Sequence, residues 1–162
     1  MDHFTLLFVS SLAPNAHADT VTGIAKQARR NNWRRGLTGL LVFDGKHFCQ
    51  FMEGPMGDVL AVADLMETDR RHERMEVLLS AAMRQPRSFP SWELGYLLLD
   101  LQESGLGSLR NQRGKPALEA FKLMLPALDA AVGQAVPERL WKRSASGVLD
   151  VGRKTFGGDQ QA

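Results

Sequence analysis

The stretch "LTGLLVFDGKHFCQFMEGP", residues 37–55, decides the fold. Two apolar runs flank Asp44-Gly45, and an Asp-Gly pair between such runs is a β-hairpin signal. Residues 37–43 and 46–52 are therefore expected to be paired strands. Gln50 then puts a carboxamide well inside a sheet, where an unbonded amide costs about 1–3 kcal/mol. The partner of that amide is the functional question.

Upstream, "FTLLFV" (4–9) is continuously apolar, as in a central strand covered on both faces. After the loop "APNAHAD", Asp19 or Thr20 is expected to cap a helix. Its apolar positions Val21, Ile24, Ala25 and Ala28 follow helical spacing. "RRNNWRRG" should end it, with basic residues at its negative pole and Gly36 following. Downstream, Gly54 and Pro55 open a second helix, Pro at its first turn, with Val59, Val62, Ala63 and Met66 inward. That helix stops at "TDRRHER". "MEVLLSAA" (75–82) is expected as a fourth strand, and Trp92, Leu94, Tyr96 and Leu98 alternate as in a fifth.

The order βαββαββ predicts an α+β, ferredoxin-like sandwich: a mixed five-stranded sheet with two helices on one face. The other face needs a cover. Leu118, Phe121, Leu125, Leu128 and Val132 repeat at helical spacing within 116–135, with Pro126 expected to kink or split the helix. "PERLWKR" (137–143) suggests a further short helix. The expected organisation is a domain over 1–100, a C-terminal helical cap over 101–143, and a Gly- and polar-rich flexible tail over 144–162.

Composition narrows the function. In 162 residues, Lys plus Arg is 20 and Asp plus Glu is 18, a net +2 that gives no charge argument for nucleic acid or an anionic membrane. One cysteine, Cys49, excludes a disulfide framework and a cysteine metal cluster within the chain. The start "MDHFTLLFVSSLAP" lacks a basic n-region, and no run reaches membrane-spanning length. A soluble, cytoplasmic protein is expected, without metal, nucleic acid or membrane as partner.

Asn32 lies eight positions after Ile24 and four after Ala28, so at least one of Asn31 and Asn32 should share the buried helix face. Phe48, Gln50 and Met52 share one strand face. Gln50 and Asn32 can thus converge on one cavity, and two primary amides in an apolar slot suit a planar heterocycle with carbonyl and N–H edges. Singly, each has an ordinary structural explanation: a helix C-cap for the asparagines, a backbone bond for Gln50, a solvated helix end for Arg70, Arg71 and His72, and core packing for Trp92 and Met52.

Together they match a family. "RRNNWRRGLTGLLVFDGKHFCQFMEGP", "DRRH" at 69–72 and "FPSW" at 89–92 closely resemble BLUF domains, bacterial blue-light sensors that hold FAD. The resemblance runs from about residue 4 to 98. It implies that Asn32, with Asn31 beside it, bonds the flavin's carbonyl and imide edge, and that Gln50 bonds N5 and the C4 carbonyl. Asp69, Arg71 and His72 match the family's acidic-x-Arg-His motif beneath the ring, and Trp92 matches a tryptophan of the last strand. In that family a first-strand tyrosine supplies the electron and proton when light is absorbed, and the glutamine amide then rearranges.

This chain departs from the pattern. The tyrosine position, 42 residues before Gln50, holds Phe8, and the chain's one tyrosine is Tyr96. Leu65 stands where some members carry a basic side chain, Leu94 where many have methionine, and Ala28 where they have serine. The resemblance therefore implies a flavin-binding signalling protein (FAD first, FMN or riboflavin otherwise) without the usual photocycle. It would act as a homo-oligomer or through an unidentified protein partner, with Leu97, Leu98, Leu99 and Leu101 as an apolar run to be covered. The alternative is a degenerate BLUF-fold interaction module with no flavin. An RNA-recognition module would need a second stacking aromatic where Gln50 stands, and an acylphosphatase-like enzyme an arginine in "SSLAPNAHA". Neither is present.

Overall fold

The computed structural model describes residues 2–14, 16–97 and 105–130. The elements run β1 (His3–Leu12), α1 (Ala18–Arg34), β2 (Thr38–Phe43), β3 (His47–Gly54), α2 (Met56–Glu67), β4 (His72–Met83), β5 (Trp92–Leu97), α3 (Gly114–Met124) and β6 (Leu128–Ala130). A 3-10 helix, Leu106–Asn111, precedes α3. The sheet order is β4-β1-β3-β2-β5-β6; β5 runs parallel to β2 and every other pair is antiparallel. This is the expected α+β sandwich with one short strand more.

Alternation along the strands builds two cores. Leu6 and Phe8 of β1, Leu41 and Phe43 of β2, and Phe48 and Met52 of β3 pack under Val21 and Ile24 of α1 and Val59 and Val62 of α2. The intervening residues Leu7, Val9, Leu40, Val42, Cys49 and Phe51 pack on the opposite side against Leu106, Leu109, Ala117, Leu118 and Phe121. Phe51 and Phe121 stack there with ring centroids 5.8 Å apart. Burial pushes the Cys49 thiol well above its usual range, so it is an inert core group.

Several boundaries differ from the sequence expectation. The N-cap of α1 is His17, without a side-chain cap bond; Asp19 sits in the first turn, where its charge suits the positive pole. Pro55 takes the N-cap position of α2 rather than its first turn. Strand β4 starts at His72, so the end of the "DRRH" motif belongs to the sheet. The helix expected over 116–135 stops at Met124; Leu125–Ala127 forms a 3-10 turn at Pro126, and Leu128 lies in β6. Proline's missing N–H breaks the helical ladder, and the chain then finds hydrogen bonds on the free edge of β5. Val132, the 137–143 segment, the expected tail, and Leu98, Leu99 and Leu101 lie outside the described residues.

Candidate functional site

Helix α1 ends in a Schellman turn that fixes the asparagines. The carbonyl of Asn32 accepts from Arg35 N (3.1 Å) and Leu37 N (2.9 Å), and that of Trp33 from Gly36 N (3.1 Å). Gly36, at φ 65°, supplies the left-handed residue this turn requires. The buried Leu37 anchors the chain as it leaves the turn. The backbone of Asn32 is thus fully engaged, while its side chain points inward with the residue 1% exposed.

Gln50 is held by strand register. It pairs with Phe8 on one side and Leu41 on the other, and Leu41 pairs with Leu94. Positions 8, 50, 41 and 94 therefore form one row across the sheet. Trp92 lies one step along, in the row of Gly39 and Met52, and is buried in the core beneath the helices. Gly39 allows the close approach of β2 to β3: a Cβ there would stand 1.9 Å from the carbonyl oxygen of Phe51, and its φ is 148°.

Between α1, α2 and the sheet is a cavity of about 280 Å³, lined by Ile24, Gln27, Ala28, Asn31, Asn32, Gln50, Val62, Leu65, Met66, Asp69 and Arg71. Both amide atoms of Asn32 and both of Gln50 are buried and have no hydrogen-bond partner. Nearly every buried polar atom in a folded protein is bonded, so two orphaned amides on one cavity mark a ligand site. At the mouth, Arg71 clasps Asp69 (Nε to Oδ1 2.9 Å, Nη2 to Oδ2 2.5 Å) and donates to Gln27 Oε1 at 2.5 Å. The hydrogen bonds from Arg71 hold the Asp69 carboxyl below its ordinary range.

The structure thus brings together five of the six expected contact residues: Asn31, Asn32, Gln50, Asp69 and Arg71. His72 is not among those that line the cavity. It is buried against Phe48, ring centroids 6.4 Å apart, with neither ring nitrogen bonded, and burial lowers its pKa. Phe8 and Trp92 are core residues that do not line the cavity either. Gln27 was missed, although it lies one helical turn before Asn31 and that spacing alone would have placed it on the same face. Glu53 was also passed over. Fully buried, it accepts from Ser88 N (2.9 Å), Phe89 N (2.7 Å) and Thr38 Oγ1 (3.3 Å), with His3 Nε2 at 3.4 Å, and so secures the connection into β5.

The donor set fits a flavin ring. Each primary amide offers both a donor and an acceptor, which matches the alternating carbonyl and N–H edge of an isoalloxazine. The remaining wall is apolar, and the volume, near the lower end of small-molecule sites at ~300 Å³, suits a planar ring system. Among the described residues no cluster of His, Cys, Asp or Glu could hold a metal ion, and no helix is long and apolar enough to cross a membrane.

Comparison with known proteins agrees with this geometry. The family model for BLUF, sensors of blue-light using FAD, matches residues 4–95. The Escherichia coli (strain K12) blue light- and temperature-regulated antirepressor BluF is 31% identical over 75 residues, 46% of this chain and 19% of that protein. Among solved structures, the dark state of BlrB, a BLUF protein, superposes with a TM-score of 0.51 at 28% identity, covering 77% of this chain and 87% of that one. The BlsA ground state gives a TM-score of 0.63 at 18% identity, covering 80% and 91%, a likeness of fold.

Proposed function

The chain belongs to the BLUF family, sensors of blue light using FAD, and on that premise we propose that it binds a flavin but lacks the family's usual photocycle. The observation that carries the binding is the pair of orphaned amides, Asn32 and Gln50, on one cavity. A flavin would supply the light-absorbing ring; this chain supplies its recognition. Asn32 reaches it from the end of α1 and Gln50 from the centre of β3, so the ring is oriented by two rigid elements. The paired Asp69 and Arg71 close the mouth, and Leu65 and Met66 of α2 shield one wall.

The photocycle argument rests on Phe8. It is fully buried and directly opposite Gln50, which is where the family's tyrosine would stand, but it has no hydroxyl. It can neither bond the Gln50 amide nor supply a proton. Trp92 shares the core but sits in a neighbouring row, without that link to Gln50. We place the chain among sensor-type binding proteins rather than enzymes, with its output carried by protein contacts. Light-independent signalling through a homo-oligomer or a second protein follows from this reading.

The test is a flavin titration followed by absorption spectra before and after blue light. The wild type should bind flavin, and Asn32→Ala should weaken binding by about 1–2 kcal/mol if the amide bonds the ring. Illumination should give no reversible red shift, and Phe8→Tyr should restore one. Protein that stays flavin-free in excess FAD sinks the binding claim. A dark-reversible red shift in the unmodified chain sinks the claim about Phe8.

A further inference from the structure

The cavity has room for fused rings, not for a dinucleotide, so any tail on the ring must lie outside it. The side of α1 that meets the mouth can be read directly. A Cβ on Gly23 would stand 3.7 Å from Arg71 Nη1, and Gln27 bonds the same guanidinium. The helical repeat continues that strip through Arg30 and Arg34, seven and eleven positions after Gly23. Both arginines are exposed, and neither has an acidic partner among the described residues. The neighbouring cations differ: Arg71 is neutralised by Asp69, and Arg35 by Asp58 at 3.2 Å. The Asp69 carboxylate would repel an anion at its own end of the mouth.

We infer that Arg30 and Arg34 form an anion subsite on the lip of the cavity, which takes the phosphate of a ring-bearing ligand seated between Asn32 and Gln50. The inference rests on the flavin reading and refines it: the chain selects phosphorylated flavins over riboflavin. Guanidinium forks suit phosphate oxygens, and two free ones on adjacent turns can share one phosphate group. Leu65 across the mouth supplies no charge.

Titration of the flavin-free chain with riboflavin, FMN and FAD, read by flavin fluorescence, separates the possibilities. At low salt FMN and FAD should bind at least about tenfold tighter than riboflavin, and added salt should narrow that gap. Arg30→Gln combined with Arg34→Gln should bring all three to the riboflavin value while leaving riboflavin unchanged. Arg29→Gln, which the helical repeat turns away from the mouth, should keep the preference. Equal binding of the three flavins by the wild type, or a preference that survives the double substitution, overturns the subsite while the flavin reading stands. Failure of all three to bind overturns both.

Discussion

The two faces of the sheet treat buried polar groups in opposite ways. On the cap face Glu53 is fully buried and collects four partners, and Asp44 at the hairpin tip accepts from Lys46 N, His47 N and Leu106 N, the last at 2.8 Å. On the helix face Asn32 and Gln50 are as deeply buried and have none. Apart from the hydroxyl of Thr5, the polar side chains buried on the cap face are satisfied among the described residues, and so this face is built for stability. The helix face keeps two amides in reserve at a cost of about 1–3 kcal/mol each, which only a ligand can offset. Substitutions on the two faces should therefore act with opposite sign on the flavin-free chain.

The largest effect belongs to the cap face. Glu53→Ala removes a fully buried carboxylate that accepts from two part-buried backbone N–H groups in the connection before β5. We expect a loss of about 3 kcal/mol in urea unfolding of the flavin-free protein. A loss below about 1 kcal/mol would break the contrast, since it would mean that solvent reaches this side as well.

Gln50→Leu is the mirror experiment. It replaces an unsatisfied amide by a side chain of similar volume in an apolar setting, between Phe8 and Leu41. The flavin-free chain should gain about 1 kcal/mol while flavin binding weakens. A destabilised variant would show that Gln50 has a partner within the protein and that the helix face is not poised for a ligand.

Legibility in the sequence follows the same division. The hairpin, both helices and the strands were readable because apolar periodicity and the Asp-Gly turn report local rules. Gln50 was readable because an amide in an apolar run contradicts its surroundings, and Asn32 because its spacing from Ile24 and Ala28 puts it on the buried helix face. Glu53 was not, because its partners lie 35 and 36 residues away in a connection with no pattern of its own. Strand β6 escaped for a similar reason, as a helical repeat ran through Pro126 and only the free edge of β5 makes Leu128–Ala130 extended. His72 was readable as a motif residue, but a motif gives its position in the chain and not the direction of its ring, which packs on Phe48 apart from the residues that line the cavity.

The smallest expected effect uses His72 to separate the faces by pH. Burial against Phe48 leaves its ring nitrogens unbonded and lowers its pKa below the ordinary value of about 6.5, while Asp69 pulls the other way and Arg71 reinforces the shift. A lowered histidine pKa means that the unfolded chain binds the proton more readily. The stability it contributes is complete above about pH 6.5 and declines as pH falls toward the folded value. On the cap face Asp44 is also shifted down: burial opposes the shift, but the bonds from His47 and Lys46 outweigh it. Its contribution is complete above its ordinary value near 3.8 and is lost only in stronger acid. Stability measured between pH 7 and 5 should therefore fall modestly through the helix face, and His72→Phe should flatten that slope without altering the Asp44 loss at lower pH. An unchanged slope in His72→Phe would assign the neutral-to-mild-acid loss to another group and remove His72 from the polar groups that the helix face holds at a cost.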